Sequence, residues 1–447
     1  MEVTNWCHIL IKKIKGCDQN FLQKKNKRRI WKILENFSKN FCIAGKFKKF
    51  QTTEKFESCA LSGWESKKLP GNINFEIKKT IQRLRMKKIQ KVLLQFPEGF
   101  HNFYGFLFNI INFCNIFGRK YYISNLVTYG ACCIEDSMGK YTGFEILVHY
   151  GHSCLIPISE CFIFLVYVFL EIKFDYSFLI ESLKSYFFSY KNNISTFSTI
   201  QFISSLKNIK NELLSFFEIL IFRKNKPLSP GEILGCTSIK QKKFHNTLYI
   251  GDGRFHLESI VISNFNGRFL QFNPYSKALS LVGYKYFQIF NEREKIINFS
   301  VKNIKNFGFI IGSLGRQGGD KIYKRLSELA KGVKLNFIFA TLGEINSDKI
   351  EILGKQCIDI WIQIACPRLS IDWGFSFKKP ILTPFELSIV LGLTTWNKLV
   401  YPMDFYSNKS GYWSNYANIN SSYKFYLNNI DYKIKSNQKI FKFNERK

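Results

Sequence analysis

What is scarce in this sequence narrows it first. Acidic residues number 33 against 65 Lys and Arg, leaving a formal net charge of +32 over 447 residues. Arg is scarce as well, with 13 Arg beside 52 Lys. A surface that reads bases leans on Arg for bidentate and stacking contacts. The charge is therefore read as solvated surface in a chain also rich in Phe, Ile, Asn and Tyr, with a share left to steer it toward an acidic partner. Long apolar runs are missing: the longest, Cys161–Leu170 (CFIFLVYVFL), is half the roughly 20 residues of a membrane span. It is expected as a buried strand, and no membrane segment is expected. The first residues, MEVTNWCHILIKKIKGC, lack the small-residue cleavage site of a secretory signal, so the expected location is cytoplasmic. The 12 cysteines include no C-x₂-C pair and no cluster of three within ten residues, which excludes the common zinc motifs. Nor does a disulfide framework suit an intracellular chain. Any metal site must be assembled from distant parts of the sequence.

What is present is enough to fold. Apolar residues make up 46%, which excludes wholesale disorder, and the length suits two to four domains. Asn74–Lys88 carries Phe75, Ile77, Ile81, Leu84 and Met86 at near-helical spacing, and Lys91–Phe96 reads as a buried strand stopped by Pro97-Glu98-Gly99. Further strands are expected at Tyr121–Ser124, Glu145–His149 and Phe162–Ile172, with a helix over Asp175–Phe187. A second set falls at Thr196–Ile203, Glu218–Phe222 and Thr247–Ile250. A third falls at Phe307–Ile311, Asn336–Ala340 and Ile358–Ile364, with a helix over Asp320–Lys331. The alternation predicts the α/β class, in three similar parallel-sheet domains of Rossmann-like type. Their ligands belong in the loops past the strand C-termini. The expected boundaries are a basic extension over 1–70, domains over 71–190, 191–304 and 305–406, and a polar, basic tail over 407–447.

Three cysteines are expected at equivalent places in these domains. Cys132 follows a strand in Tyr129-Gly-Ala-Cys132, Cys236 lies in Leu228–Ser238 (LSPGEILGCTS), and Cys366 follows a strand in Trp361–Ser370 (WIQIACPRLS). They are 104 and 130 residues apart, about one domain each. Each stands beside Gly, Pro or Ala, which lets backbone approach a bulky ligand. Three thiolates converging on one centre suit an iron–sulfur cluster or zinc, and three ligands to a cube of four irons leave one iron open. The plain alternative is that buried cysteine is a common small core residue. That role is assigned to Cys133, Cys154, Cys161 and Cys357.

Between Leu69 and Tyr406 ten short strings then occur in order. They are FPEG (Phe96–Gly99), YGACC (Tyr129–Cys133), VHYGHSCLIP (Val148–Pro157), LSPGEILGCTS, GDGRFHLES (Gly251–Ser259), NPYSK (Asn273–Lys277), LGRQG (Leu314–Gly318), ACPRLSIDWG (Ala365–Gly374), LTPFE (Leu382–Glu386) and YPMDFY (Tyr401–Tyr406). In these strings the chain resembles the diphthamide-synthesis radical enzymes. The resemblance implies three related domains around a central [4Fe-4S] cluster, with Cys132, Cys236 and Cys366 as ligands, and it selects the first of the Cys132-Cys133 pair. The C-x₃-C-x₂-C of conventional radical S-adenosylmethionine enzymes is absent, as it is in the family. All three cysteines are kept, so the chain looks like the catalytic subunit rather than its partner.

The implied reaction uses S-adenosyl-L-methionine as cosubstrate. An electron from the cluster breaks the bond between sulfur and the methionine γ-carbon, and the 3-amino-3-carboxypropyl group passes to C2 of a histidine in elongation factor 2. The implied partners are a second synthase subunit, elongation factor 2 and an electron-donor protein, with no membrane and no nucleic acid. Arg316, Gln317 and Arg368 are candidates for the methionine carboxylate, and Glu98 for the adenosine ribose. For Arg368 an ion pair with Asp372 competes, and for Glu98 a capping role. His149 and His152 flank a Gly turn, where they either orient substrate or are hydrogen-bonded core residues. Gly251-Asp-Gly253 is only half of a dinucleotide fingerprint. A catalytically silent basic α/β scaffold for RNA or ribosomal partners is the alternative function, and a three-cysteine zinc site is a third.

Overall fold

Most of the short apolar strings become inner strands of parallel sheets, which must be buried on both faces, whereas the longest supplies an edge strand. The computed structural model of the protein describes residues 70–415 except 86–88, 98–102, 104, 106, 109–118, 125–133, 152–155, 157, 188–192, 218, 222–223, 225, 242–245, 304–305, 314–319, 333–335, 355–357 and 408–409. All of these belong to the unit running from Glu65 to Lys447. The expectations for the extension and most of the tail, and for Glu98, Cys132, Cys133, His152, Cys154, Arg316, Gln317 and Cys357, lie outside the described residues.

The chain enters through β1 (Ile73–Asn74) and α1 (Ile77–Arg85). The first sheet holds β2 (Lys91–Gln95), β3 (Lys120–Ser124), β4 (Ile146–Gly151) and β5 (Phe164–Phe169), with α2 (Asp136–Tyr141) between β3 and β4. Its order is β3-β2-β4-β5, all parallel. The single strand expected over Phe162–Ile172 is broken: after β5 the chain leaves the sheet, and β6 (Glu171–Ile172) pairs antiparallel with β1. A segment that is apolar throughout carries no mark of where it changes partner.

The second sheet follows α3 (Ser177–Tyr186). It contains β7 (Asn193–Ser198), then α4 (Ile203–Phe216), β8 (Ile219–Ile221), β9 (Asn246–Ile250), α5 (Arg254–Ser263), β10 (Arg268–Asn273) and β11 (Ala278–Leu281). The order is β11-β10-β9-β7-β8, parallel except for β11. The strand expected at Thr196–Ile203 begins and ends too late. Ile200–Phe202 is already a 3₁₀ turn leading into α4, because buried apolar residues continue across the boundary and hide it. The β10–β11 hairpin was not foreseen. Its turn is the NPYSK string, where the Asn273 side chain accepts from Tyr275 N at 2.9 Å.

The third sheet lies beyond α6 (Tyr286–Asn303). It holds β12 (Asn306–Gly312), α7 (Asp320–Gly332), β13 (Asn336–Leu342), α8 (Ser347–Gly354), β14 (Ile360–Ile364), α9 (Pro367–Trp373), β15 (Ile381–Leu382) and α10 (Pro384–Val390). The order β13-β12-β14-β15 is fully parallel. Trp361 on β14 is fully buried. It fits because its neighbour on β12 is Gly308, where a Cβ would lie 2.1 Å from the indole.

The class is therefore mixed α/β, with three largely parallel sheets among the described residues. One large core runs from Ile262 on α5 through α6, β12, β14 and α10 to Tyr401, Met403, Phe405 and Tyr406. Packing continues past the point where the composition turns polar. Arg325 donates to the carbonyls of Tyr412 (2.8 Å) and Ser414 (2.9 Å), and Asn415 N donates to Phe405 O (2.8 Å). No helix among the described residues is long and apolar enough to cross a membrane.

Candidate functional site

Cys236 stands on the connection between β8 and β9, which folds back over the end of β7. Ser198 N donates to Gly231 O (2.9 Å), and Ile233 N donates to Ser198 O (3.1 Å). Gly231 takes φ +80°, a region open to glycine at no cost. Leu234 and Thr237 then bond each other in both directions, at 2.8 and 3.2 Å. The tip of this tight turn is Gly235-Cys236. No side chain fits at position 235, where a Cβ would lie 2.0 Å from the Phe255 ring. The YPMDFY string holds the turn from its other side: Phe405 N donates to Cys236 O (3.3 Å), and Ser238 N to Met403 O (2.5 Å).

Cys366 leaves the end of β14 and is the N-cap of α9, with Pro367 in the first turn. Its backbone is clamped by Gln363, a fully buried amide within an otherwise apolar strand. The Gln363 side chain donates to Cys366 O (2.8 Å) and Ser370 Oγ (3.0 Å), and accepts from Ala365 N (3.0 Å). A buried amide with both ends engaged fixes its loop, because releasing it leaves unpaired polar groups in the core.

Arg368, only 3% exposed, ties α9 to α5. It bonds Asp372 (2.7 Å), Glu258 (2.6 Å) and the carbonyl of Phe255 (2.7 Å), with its guanidinium 4.5 Å from the centre of the Phe255 ring. The competing expectation of an Arg368–Asp372 ion pair is thus met. The same Phe255 packs against Gly235, so the carriers of Cys236 and Cys366 are joined through one aromatic ring.

The two cysteines are not at equivalent places. Cys236 follows the second strand of its sheet in chain order, the edge strand β8, whereas Cys366 follows the third, the inner strand β14. Spacing of about one domain conceals an offset of one strand–helix unit, and the expectation of equivalence is corrected accordingly.

Both residues are half-buried and free of disulfide, yet their sulfurs lie deep enough for desolvation to dominate. Burial, with Cys366 as the next contributor, pushes the Cys236 thiol up to about 12, against the pull of the Thr237 hydroxyl and Arg368. Burial also raises Cys366, opposed by the N–H groups of Arg368 and Leu369 and by the Arg368 charge. Asp372 is raised by burial as well, with Arg368 opposing.

This donor set fits a centre that takes the charge of its thiolates. Burial disfavours ionisation of either thiol on its own, the Arg368 charge opposes that effect at both, and the Thr237 hydroxyl donates to Cys236 Sγ at 3.7 Å. Among the described residues no three His, Cys, Asp or Glu side chains converge as a metal site, and Cys132 lies outside those residues. His149 is fully buried on β4, edge-on to Tyr167 at 5.8 Å, a core environment. Cys161 packs beside the first sheet's core. Sequence reasoning missed Gln363, Glu258, Phe255 and Thr237. A lone amide in an apolar strand and a hydroxyl beside a cysteine were the available signals.

Residues 96–402 match the diphthamide synthesis protein family. The chain belongs to that family. It is 43% identical to 2-(3-amino-3-carboxypropyl)histidine synthase subunit 1 of Dictyostelium discoideum, over 78% of this chain and 74% of the relative. It is 41% identical to the Homo sapiens protein of the same name, over 77% of this chain and 78% of that one. Among solved structures it resembles Dph2 from Pyrococcus horikoshii, at TM-score 0.59 and 26% identity over 73% of this chain and 92% of that chain. It also resembles Dph2 from the same organism with a 4Fe-4S cluster, at TM-score 0.59 and 25% identity over 74% and 95%. The parallel-sheet α/β fold seen here is thus shared with Dph2, a protein also described with a 4Fe-4S cluster.

Proposed function

We propose that this chain is the catalytic subunit for the first step of diphthamide biosynthesis, moving a 3-amino-3-carboxypropyl group from S-adenosyl-L-methionine to C2 of a histidine in elongation factor 2. The three sheets are read as three related domains, and Cys132, Cys236 and Cys366 as the ligands of a [4Fe-4S] cluster between them. The observation that carries this reading is that the Cys236 turn and the helix begun by Cys366, from two different sheets, meet on one ring, Phe255, against which Gly235 and Arg368 both pack, in a chain whose relatives bear the synthase name. When bound, the cluster supplies the electron that breaks the bond between the sulfonium sulfur and the methionine γ-carbon, so its chemistry is the cofactor's own.

The work of the chain's residues is positioning. Gln363 and the Leu234–Thr237 turn fix the carriers of two ligand sulfurs. Arg316, Gln317 and Glu98 are proposed contacts of S-adenosylmethionine. Arg368 has five N–H donors, and those not directed at Asp372, Glu258 and Phe255 are proposed for the methionine carboxylate. The second synthase subunit, named by analogy with relatives called subunit 1, and an electron-donor protein complete the proposed cytoplasmic system.

The test is anaerobic incubation of the reconstituted chain with its partner subunit, elongation factor 2, reductant and labelled S-adenosylmethionine. Label on the acceptor histidine and release of methylthioadenosine are expected. A cluster-loaded chain that yields neither, or a chain that stays colourless and iron-free after reconstitution, would overturn the reading.

A further inference from the structure

Thr237 is fully buried, and both of its backbone groups are engaged in the turn with Leu234. Its hydroxyl makes one hydrogen bond among the described residues, to Cys236 Sγ at 3.7 Å. The neighbouring hydroxyl goes elsewhere: Ser238 Oγ donates to Ser259 O at 3.0 Å and shares a bond with Ser263 Oγ at 2.9 Å. Buried Ser and Thr commonly turn to a nearby backbone carbonyl. Thr237 instead faces a sulfur, which as a neutral thiol is a weak acceptor. The arrangement gains most when that sulfur carries negative charge.

Resting on the cluster reading above, we propose that Thr237 is a positioning residue that sets the reduction potential of the bound cluster through Cys236. A donor to a ligand sulfur stabilises the more negative, reduced state and raises the potential. Cys366, by contrast, stands at the start of α9, where the Leu369 N–H donates to its backbone carbonyl at 3.0 Å. Cys236 is the ligand among the described residues that takes a side-chain hydroxyl. The potential of the site is therefore adjustable at position 237 with the cysteine frame left intact.

The experiment compares the full chain with Thr237→Val, which keeps shape and removes the donor, and Thr237→Ser, which keeps the donor and removes a methyl group. Each protein is reconstituted anaerobically, assayed for iron, and titrated with dithionite under electron paramagnetic resonance. Equal iron in all three is expected, with the Ser protein titrating alongside wild type and the Val protein at a more negative midpoint. A Val protein that titrates with wild type, Val and Ser proteins that shift together, or a Val protein that loses its iron would each overturn the assignment. Wild type without iron would overturn the cluster reading itself, and the assignment with it.

Discussion

Arg293 and Glu386, 93 residues apart, form an ion pair almost sealed from solvent, at 2% and 0% side-chain exposure. The Arg293 Nε donates to Glu386 Oε1 at 2.6 Å, and Nη2 pairs with the second carboxylate oxygen. The remaining donors reach Ser370 O (2.9 Å) and Ile381 O (2.8 Å). Glu386 also closes a capping box with Thr383 at the start of α10. One guanidinium thus joins α6, β15, α10 and the far end of the helix that begins at Cys366. Arg293→Met leaves a buried carboxylate uncompensated, a loss of about 3–5 kcal/mol. Arg293→Lys recovers little of it, since an ammonium cannot present the planar fork. Urea denaturation checks this, with the Arg293→Met, Glu386→Leu double variant expected to be more stable than Arg293→Met alone.

Iron content separates the cysteines. Cys236→Ala and Cys366→Ala should each lose most of the iron held after anaerobic reconstitution. Cys161→Ala, whose sulfur packs beside the first sheet's core, should hold as much as wild type. Equal retention in all three variants would refute the ligand assignment.

Gln363→Leu keeps the volume of the side chain and removes the clamp on the Cys366 loop. It leaves Ala365 N without its acceptor while Cys366 O keeps the Leu369 N–H, a cost of about 1–3 kcal/mol for an orphaned buried group. Lower stability by urea titration is expected together with faster loss of iron to a chelator. A variant less stable but releasing iron at the wild-type rate would show that the clamp does not serve the site.

Asp404 is raised by burial, with the Trp413 indole, at 2.7 Å, pulling the other way. A carboxyl that holds its proton more tightly when folded stabilises the fold fully below its unfolded pKa, and this stability is lost as pH rises through the folded one. Asp404→Asn keeps an oxygen for Trp413 and removes the titration. At neutral pH it should unfold at higher urea than wild type, and the difference should shrink toward acid pH. A difference that is constant with pH would rule out the carboxyl as its source.

The inner strands were legible because burial on both faces favours apolar runs, as at Val92–Leu94 in β2, Ile146–Val148 in β4, Leu248–Ile250 in β9 and Ile360–Ile362 in β14. The two-residue strands β6 and β15 were not, since no periodicity fits in two positions. β7 was placed too late because Phe197, Phe202 and Ile203 stay buried from strand into helix. At the site, Cys236 and Cys366 could be singled out from neighbours that admit close approach. Their topological offset could not, because it depends on which strand precedes each in its sheet. The joint made by Gly235, Phe255 and Arg368 was hidden for a similar reason: its members are distant in sequence and share no pattern.

The bonds from Ser238 and Phe405 to their partners in the Cys236 turn and the YPMDFY string bear on the order of events in biosynthesis. The turn carrying Cys236 is complete only when residues 403–405 have arrived, and Cys366 itself emerges 130 residues after it. Chains grow at about 5–20 residues per second, so for several seconds the nascent protein displays Cys236 without its final support. A chain cut short before Met403 therefore lacks the residues that hold the Cys236 turn from its other side.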